Sequence, residues 1–257
     1  LRRATTTPMK LATIAPEGTS LYKSLSTMAE DIKTKTSGRV TIKIFGGGVQ
    51  GDEKDVVRKM RYGQLDGAAL TGVGLGLIDQ QIRVFELPFL FNNDSEVDKV
   101  YAQMSDYFSA EYLKKGFFVL GWSEVGFVKI FSDKPIRNRK DLEGVKMWMW
   151  EGDPLAEAMF KEMKVTPVPL AITDVLTSLQ TRLINAAYAP ELGAIALQWH
   201  TKTKYMTDVN FVDGTGGLVL TQVAWNKVAP QDQAILKTLG KATAQALVQQ
   251  TRKDNLE

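Results

Sequence analysis

The side chains that most often carry chemistry are scarce in this sequence. One histidine and no cysteine occur among 257 residues, which removes thiol nucleophiles, disulfides and the usual zinc sets. His200 stands between Trp199 and Thr201 with no orienting partner in view, so packing or surface exposure explains it better than general-base catalysis. Ser123 falls in Gly121-Trp122-Ser123-Glu124-Val125-Gly126, one residue too long for a Gly-x-Ser-x-Gly nucleophile turn. Asp52 and Glu53 would have to supply any hard-cation site, yet they begin a helix, where the dipole and solvent account for both. Gly46-Gly47-Gly48 lacks the Gly-Lys-Ser/Thr ending of a phosphate loop, and Thr71-Gly72-Val73-Gly74-Leu75-Gly76 misses the dinucleotide spacing. These observations leave no catalytic residue, no metal site and no cofactor to expect.

What the chain does concentrate is aromatic surface around one segment. A strand over 145–150 places Lys146, Trp148 and Trp150 on one face, because side chains alternate across a strand. A helix over 155–163 follows, then a proline-punctuated strand at 165–170. Thr173 caps a second helix ending near Gln180, and 183–190 returns as an apolar strand. Such a strand-helix-strand-helix-strand run is a parallel α/β unit, whose ligands gather at the carboxyl ends of strands. Those ends carry Trp148, Trp150, Tyr188 and Ala189. Gly72, just past a third strand at 63–70, marks a close backbone approach where the same cleft would lie.

The remaining elements frame that segment. Strands are expected at 9–14, 40–45, 117–122 and 124–131, with helices at 19–38, 53–62, 95–107 and from Pro230 onward. No proline or glycine interrupts 194–208, so one long helix is expected from Glu191 through Tyr205. Residues 214–217 read as part of a return crossing. A chain of this length favours two α/β lobes over one core. The formal charge of +3 is small and its signs are interleaved, which argues against nucleic acid and anionic lipid as partners. The longest uncharged runs, 67–78 and 214–226, are too short to span a membrane. The sequence opens at Leu1 without Met or an apolar leader, as it would after removal of a signal segment.

In order and interval, several pieces resemble the DctP-type substrate-binding proteins of tripartite ATP-independent periplasmic (TRAP) transporters. They are Ala29-Glu30 through Thr36-Ser37-Gly38-Arg39-Val40, Arg61-Tyr62-Gly63-Gln64-Leu65-Asp66, and Glu86-Leu87-Pro88-Phe89-Leu90-Phe91. Lys134-Pro135-Ile136 with Asp141-Leu142-Glu143-Gly144-Val145-Lys146-Met147 follows, then Pro167-Val168-Pro169, Thr173-Asp174-Val175 and Ser178-Leu179-Gln180-Thr181. The resemblance implies an α/β, two-lobed periplasmic-binding-protein-like fold with a hinged inter-lobe cleft, a periplasmic location and a membrane permease as partner. Lobe I would comprise 1–124 and 209–257, and lobe II 125–208, with the long helix reaching towards the hinge and crossings near Val125 and Asn210.

The departures from the family pattern fall on its anchors. Trp148 stands where the family has the arginine that pairs with a substrate carboxylate. Val128 stands at a second family arginine, Ala189 at an asparagine and Ile172 at an aromatic. The expectation is therefore a non-enzymatic periplasmic receptor for a hydrophobic or neutral small molecule, lined by Trp148, Trp150, Val128, Ile172, Ala189 and Tyr188. Two alternatives stand beside it: an organic acid held by Lys146 or by backbone near Gly72, and a lipophilic-cargo adaptor working with a tetratricopeptide-repeat protein.

Overall fold

Residues 6–256 are described by the computed structural model, so Leu1 lies outside the described residues. The chain opens β1 (Thr7–Ala12), α1 (Ser20–Lys35), β2 (Val40–Phe45), α2 (Glu53–Arg61) and β3 (Gly67–Thr71). β1 pairs in parallel with both β2 and β3, as helical crossovers require. Thr19 caps α1 by accepting from the Tyr22 amide, and Leu25, Met28, Ala29 and Ile32 form the buried face its spacing predicts. α3 (Gly72–Ile78), a 3-10 turn (Gln80–Glu86) and α4 (Asp94–Lys114) pack with α2 in a cluster around Leu75, Ile82, Phe85 and Tyr112.

β4 (Phe117–Ser132) then leads into β5 (Trp148–Trp150), α5 (Pro154–Met163), β6 (Val168–Leu170), α6 (Val175–Gln180), β7 (Ala186–Ala189) and α7 (Glu191–Ala196). β8 (Tyr205–Thr221), α8 (Gln222–Lys227) and α9 (Pro230–Asp254) complete the chain. Six strands lie in the order β2-β1-β3-β8-β4-β7, and β5 with β6 forms a parallel pair joined to β7 through a bridge from Met147 to Ala186. The fold is mixed α/β and two-lobed. Two apolar clusters gather on β1, β3 and the outer parts of β4 and β8. Two more gather on β5, β7, α5 and α6. The long antiparallel strands β4 and β8 run between them.

Several expected boundaries move for tertiary reasons. The two strands expected at 117–122 and 124–131 are the single β4, which continues through a bulge at Gly126, whose φ of +96° suits glycine. The expected long helix stops at Ala196. Gln198 adopts φ +61°, Trp199 turns inward to 1% exposure, and β8 begins at Tyr205, so burial of one indole overrides helix propensity. Residues 214–217 lie inside the continuous strand β8, and Gly72 to Gly76 begin the helix α3 directly after β3. Thr173 sits within a 3-10 turn (Ile172–Asp174) and caps nothing. On α9, Leu236, Gly240, Ala244 and Leu247 are buried, while Ala242 and Ala246 face out.

Candidate ligand-binding site

The carboxyl ends of β5 and β7 open onto a cavity of about 260 Å³, near the lower end of volumes typical for small-molecule pockets. Trp148 is its inner wall. The indole is 1% exposed, stacks on Tyr188 at 4.7 Å between ring centroids, meets Trp199 edge-on at 5.2 Å, and donates from Nε1 to the Leu170 carbonyl. With its one donor satisfied, Trp148 presents only apolar surface. The Trp150 amide donates to the Tyr188 hydroxyl at 3.0 Å, and burial pushes that phenol's pKa up, so Tyr188 stays neutral. Trp148, Trp150, Val128, Ile172, Tyr188 and Ala189 all line this cavity.

Two expected contributors do not. Lys146 is exposed, and its Nζ reaches the Arg182 carbonyl while its amide donates to Asn185 Oδ1. Lying two residues before Trp148, it sits about 7 Å back along the chain, away from the cleft end. Gly72 is buried at the start of α3, and the space over it is filled by the Glu86 carboxylate, against which an added Cβ would clash. The close approach expected there is real, but the anion is the chain's own.

The cleft also holds polar groups outside the expected lining. Arg83 Nη1 and Nη2 donate to the two Asp153 oxygens at 2.9 and 3.0 Å, and its Nε donates to Glu86 at 2.6 Å. Glu86 also accepts from the Thr215 amide, and Asp153 caps α5 by accepting from the Leu155 amide. Burial works against the Arg83 charge, but Glu86 and Asp153 outweigh it and hold the guanidinium firmly protonated. Burial raises the Glu86 pKa while Arg83 and the Thr215 amide oppose it. Among the described residues lining the cavity, Arg83 is the only cation.

Asp52 makes a second connection across the cleft. One carboxylate caps α2, accepts from Trp150 Nε1 at 2.9 Å and accepts from the Ile172 amide at 2.9 Å. Beside it Lys54 pairs with Glu151. Glu53 accepts from the Thr71 amide and hydroxyl and from the Gly74 amide, and burial raises its pKa to about 7 against those bonds. Asp52 and Glu53 are 3% and 1% exposed, so the expectation that solvent explains them is corrected. The helix dipole remains, and buried donors replace the water. Among the described residues, the His200 ring is hydrogen-bonded to the Ala194 carbonyl alone. The sequence signals only the local part of each: Arg83 and Glu86 lie three apart in an apolar segment, and Asp153-Pro154 is a capping pair ahead of a helix, with nothing to join the two.

Residues 11–257 match the family profile of DctP, bacterial extracellular solute-binding protein, family 7. The chain belongs to this family. It is 30% identical over 167 residues to a solute-binding protein of Chromohalobacter salexigens, covering 64% of this chain and 49% of that one. It is 23% identical over 207 residues to the 2,3-diketo-L-gulonate-binding periplasmic protein YiaO of Escherichia coli, covering 80% of this chain and 63% of that one. The chain thus spans about half to two thirds of these relatives' length. A TRAP periplasmic solute-binding protein of Haemophilus influenzae, solved with bound L-gulonate, superposes with a TM-score of 0.90 at 22% identity over 97% of this chain and 82% of that one. The family is one of bacterial extracellular solute-binding proteins, and YiaO is named as a periplasmic binding protein. No helix among the described residues is long and apolar enough to cross a membrane.

Proposed function

We propose that this DctP-family protein is the solute receptor of a TRAP transporter, that its cargo is a small uncharged or apolar molecule, and that it delivers the cargo to a membrane permease. The observation that carries the reading is the state of Arg83, whose fork is filled by Asp153 and whose Nε is filled by Glu86. An acidic cargo entering this cavity would meet one buried cation already facing two carboxylates. Leaving the cargo's charge unpaired would cost several kcal/mol, whereas each buried CH₂ contributes about 0.8 kcal/mol. Trp148, Val128, Ile172 and Ala189 supply apolar walls from four segments that meet at the cavity.

Relatives argue for a different cargo, since YiaO is named for binding 2,3-diketo-L-gulonate and the Haemophilus influenzae structure holds L-gulonate. A sugar acid would need Arg83 to exchange Asp153 for the ligand. Lys146 offers no alternative anchor from its outward position. A tetratricopeptide-repeat partner has no support here.

The lobes we propose are 1–124 with 209–257 and 125–208, joined where β4 and β8 cross near Val125 and Asn210. Phe127 packs with the α2–α4 cluster, whereas Ile130 and Phe211 pack with the α5 cluster, so the packing changes sides between 127 and 130 on β4 and beyond Phe211 on β8, within a few residues of the proposed crossings. Denaturing the purified protein and identifying the released small molecule by mass spectrometry tests the cargo. An uncharged or apolar compound is expected, and a sugar acid or dicarboxylate overturns the reading.

A further inference from the structure

Arg83 and Asp153 come from opposite sides of the cleft. The arginine lies on the turn before the Leu87-Pro88-Phe89 loop, and the aspartate lies 70 residues later at the head of α5. Their side chains are 10% and 5% exposed, and both line the cavity. The end-on fork of a guanidinium matches a carboxylate in both spacing and plane, and it is the face on which arginine recognises acids. Glu86 takes the side position at Nε and leaves that fork free for one further carboxylate. Asp153 takes it with two nearly equal bonds while its own backbone begins a helix.

We infer that Asp153 is a built-in carboxylate that occupies the cleft's anion site at Arg83, joining the two sides of the cleft and setting the specificity of the receptor against acids. The geometry separates two jobs in one cluster. Glu86, held by the Thr215 amide over Gly72, orients the guanidinium from its own side. Asp153 delivers the competing charge from the other side, so the arrangement of one cation with two anions presents a net negative group to anything entering. Removing that charge while keeping its shape leaves a neutral Arg83–Glu86 pair at the cavity wall, with a fork that only one amide oxygen can partly fill. The change converts a cleft that rejects carboxylates into one that accepts an apolar monocarboxylic acid, whose tail the aromatic walls already suit. The inference rests on the proposal that the cargo is uncharged.

The test compares hexanoate with hexanamide, two probes of one shape and different charge, by calorimetry near pH 7.5 on the full chain. Asp153→Asn keeps both the side-chain shape and a good helix cap. Asp153→Ser, also a good cap, serves if the first variant melts early. The parent is expected to bind hexanamide at least as well as hexanoate. In Asp153→Asn the hexanoate-to-hexanamide affinity ratio is expected to rise at least tenfold, and adding Arg83→Gln should return it to the parent's value. A ratio that rises less than tenfold in a folded variant, hexanoate binding to no variant, or a gain that survives Arg83→Gln overturns the inference. A parent that prefers hexanoate overturns the uncharged-cargo proposal along with it. A parent that prefers hexanamide with an unmoved ratio overturns the inference alone.

Discussion

Two arginines in this molecule hold more carboxylates than one positive charge can neutralise, and they do so in different surroundings. Arg83 faces Glu86 and Asp153 in a cluster whose three side chains are at most 10% exposed. Arg252, near the end of α9, holds Glu124 through Nε and Nη2, binds Asp98 through both Nη atoms and lies near Asp94, and these last two acids are 59% and 51% exposed. Water screens Asp94 and Asp98, so their surplus charge costs little, while Glu124 is 4% exposed and depends on Arg252. The first cluster is dry, and every bond in it must be made or the remainder is stranded. The same chemistry is therefore half wet beside the crossing strands and wholly buried in the cleft.

The comparison breaks most readily at Arg83. Arg83→Met strands Glu86 and Asp153 and should cost about 3–5 kcal/mol in urea unfolding. A loss under 1 kcal/mol would mean the cleft cluster is as dispensable as a surface pair. Adding Asp153→Asn should recover part of the loss, since one of the stranded charges is gone.

Trp148 tests the apolar half of the site. Trp148→Ala should weaken binding of the identified cargo by about 2–4 kcal/mol, in the range of buried aromatic anchors, with the lobes still folded. Trp148→Arg combined with Val128→Arg should lose that cargo and begin to admit small carboxylates. Calorimetry decides both, and parent-like affinity in Trp148→Ala removes the indole from the site.

Asp213 sharpens the comparison through pH. It lies on β8 near Glu124 and Arg252 but beyond the arginine's hydrogen bonds, and its Oδ2 has no partner among the described residues. Burial, reinforced by Glu124 and Glu86, pushes its pKa up to about 8, from an ordinary value of about 3.9. The folded chain then keeps a proton that the unfolded chain releases. Stability from this group is complete below pH 4, falls as pH rises towards 8, and is level above. Asp213→Asn should gain about 1–3 kcal/mol on the parent between pH 4 and pH 9, read from unfolding curves at both ends. A difference that is flat with pH would place the carboxylate in contact with water.

The smallest effect is expected at Arg252. Arg252→Gln leaves Glu124 buried but costs Asp94 and Asp98 little, so about 1–2 kcal/mol should be lost. A loss as large as that for Arg83→Met would erase the contrast.

Much of this fold is readable from local pattern. β2 falls on the alternating segment 40–45, α1 begins at its Thr19 cap, and α9 starts at Pro230. Trp148 and Trp150 are legible as a pair because β5 alternates, while Val128, Ile172 and Ala189 are legible only through family resemblance. Arg83, Asp153 and Asp52 are not legible, because each takes its meaning from a partner 70 or 98 residues away. A sequence shows an aspartate before a proline as a helix cap and gives no sign that its oxygens also hold a distant guanidinium. The break at Gln198 is hidden for the same reason: Trp199 leaves the helix to reach Trp148, a contact that no window of neighbours contains.

The bond from Trp150 Nε1 to Asp52 also gives the protein an optical reporter. Trp150 is 7% exposed with its ring edge held by a carboxylate from the other side of the cleft, whereas Trp122 and Trp225 pack within the first pair of clusters. If the cleft opens by hinge motion, this indole exchanges an anion and a dry wall for water while those two keep their surroundings. Its emission should shift to longer wavelength on opening and return as the lobes close. Trp150→Phe would remove that component of the signal, so the unlabelled protein reports its own opening and closing in a fluorimeter.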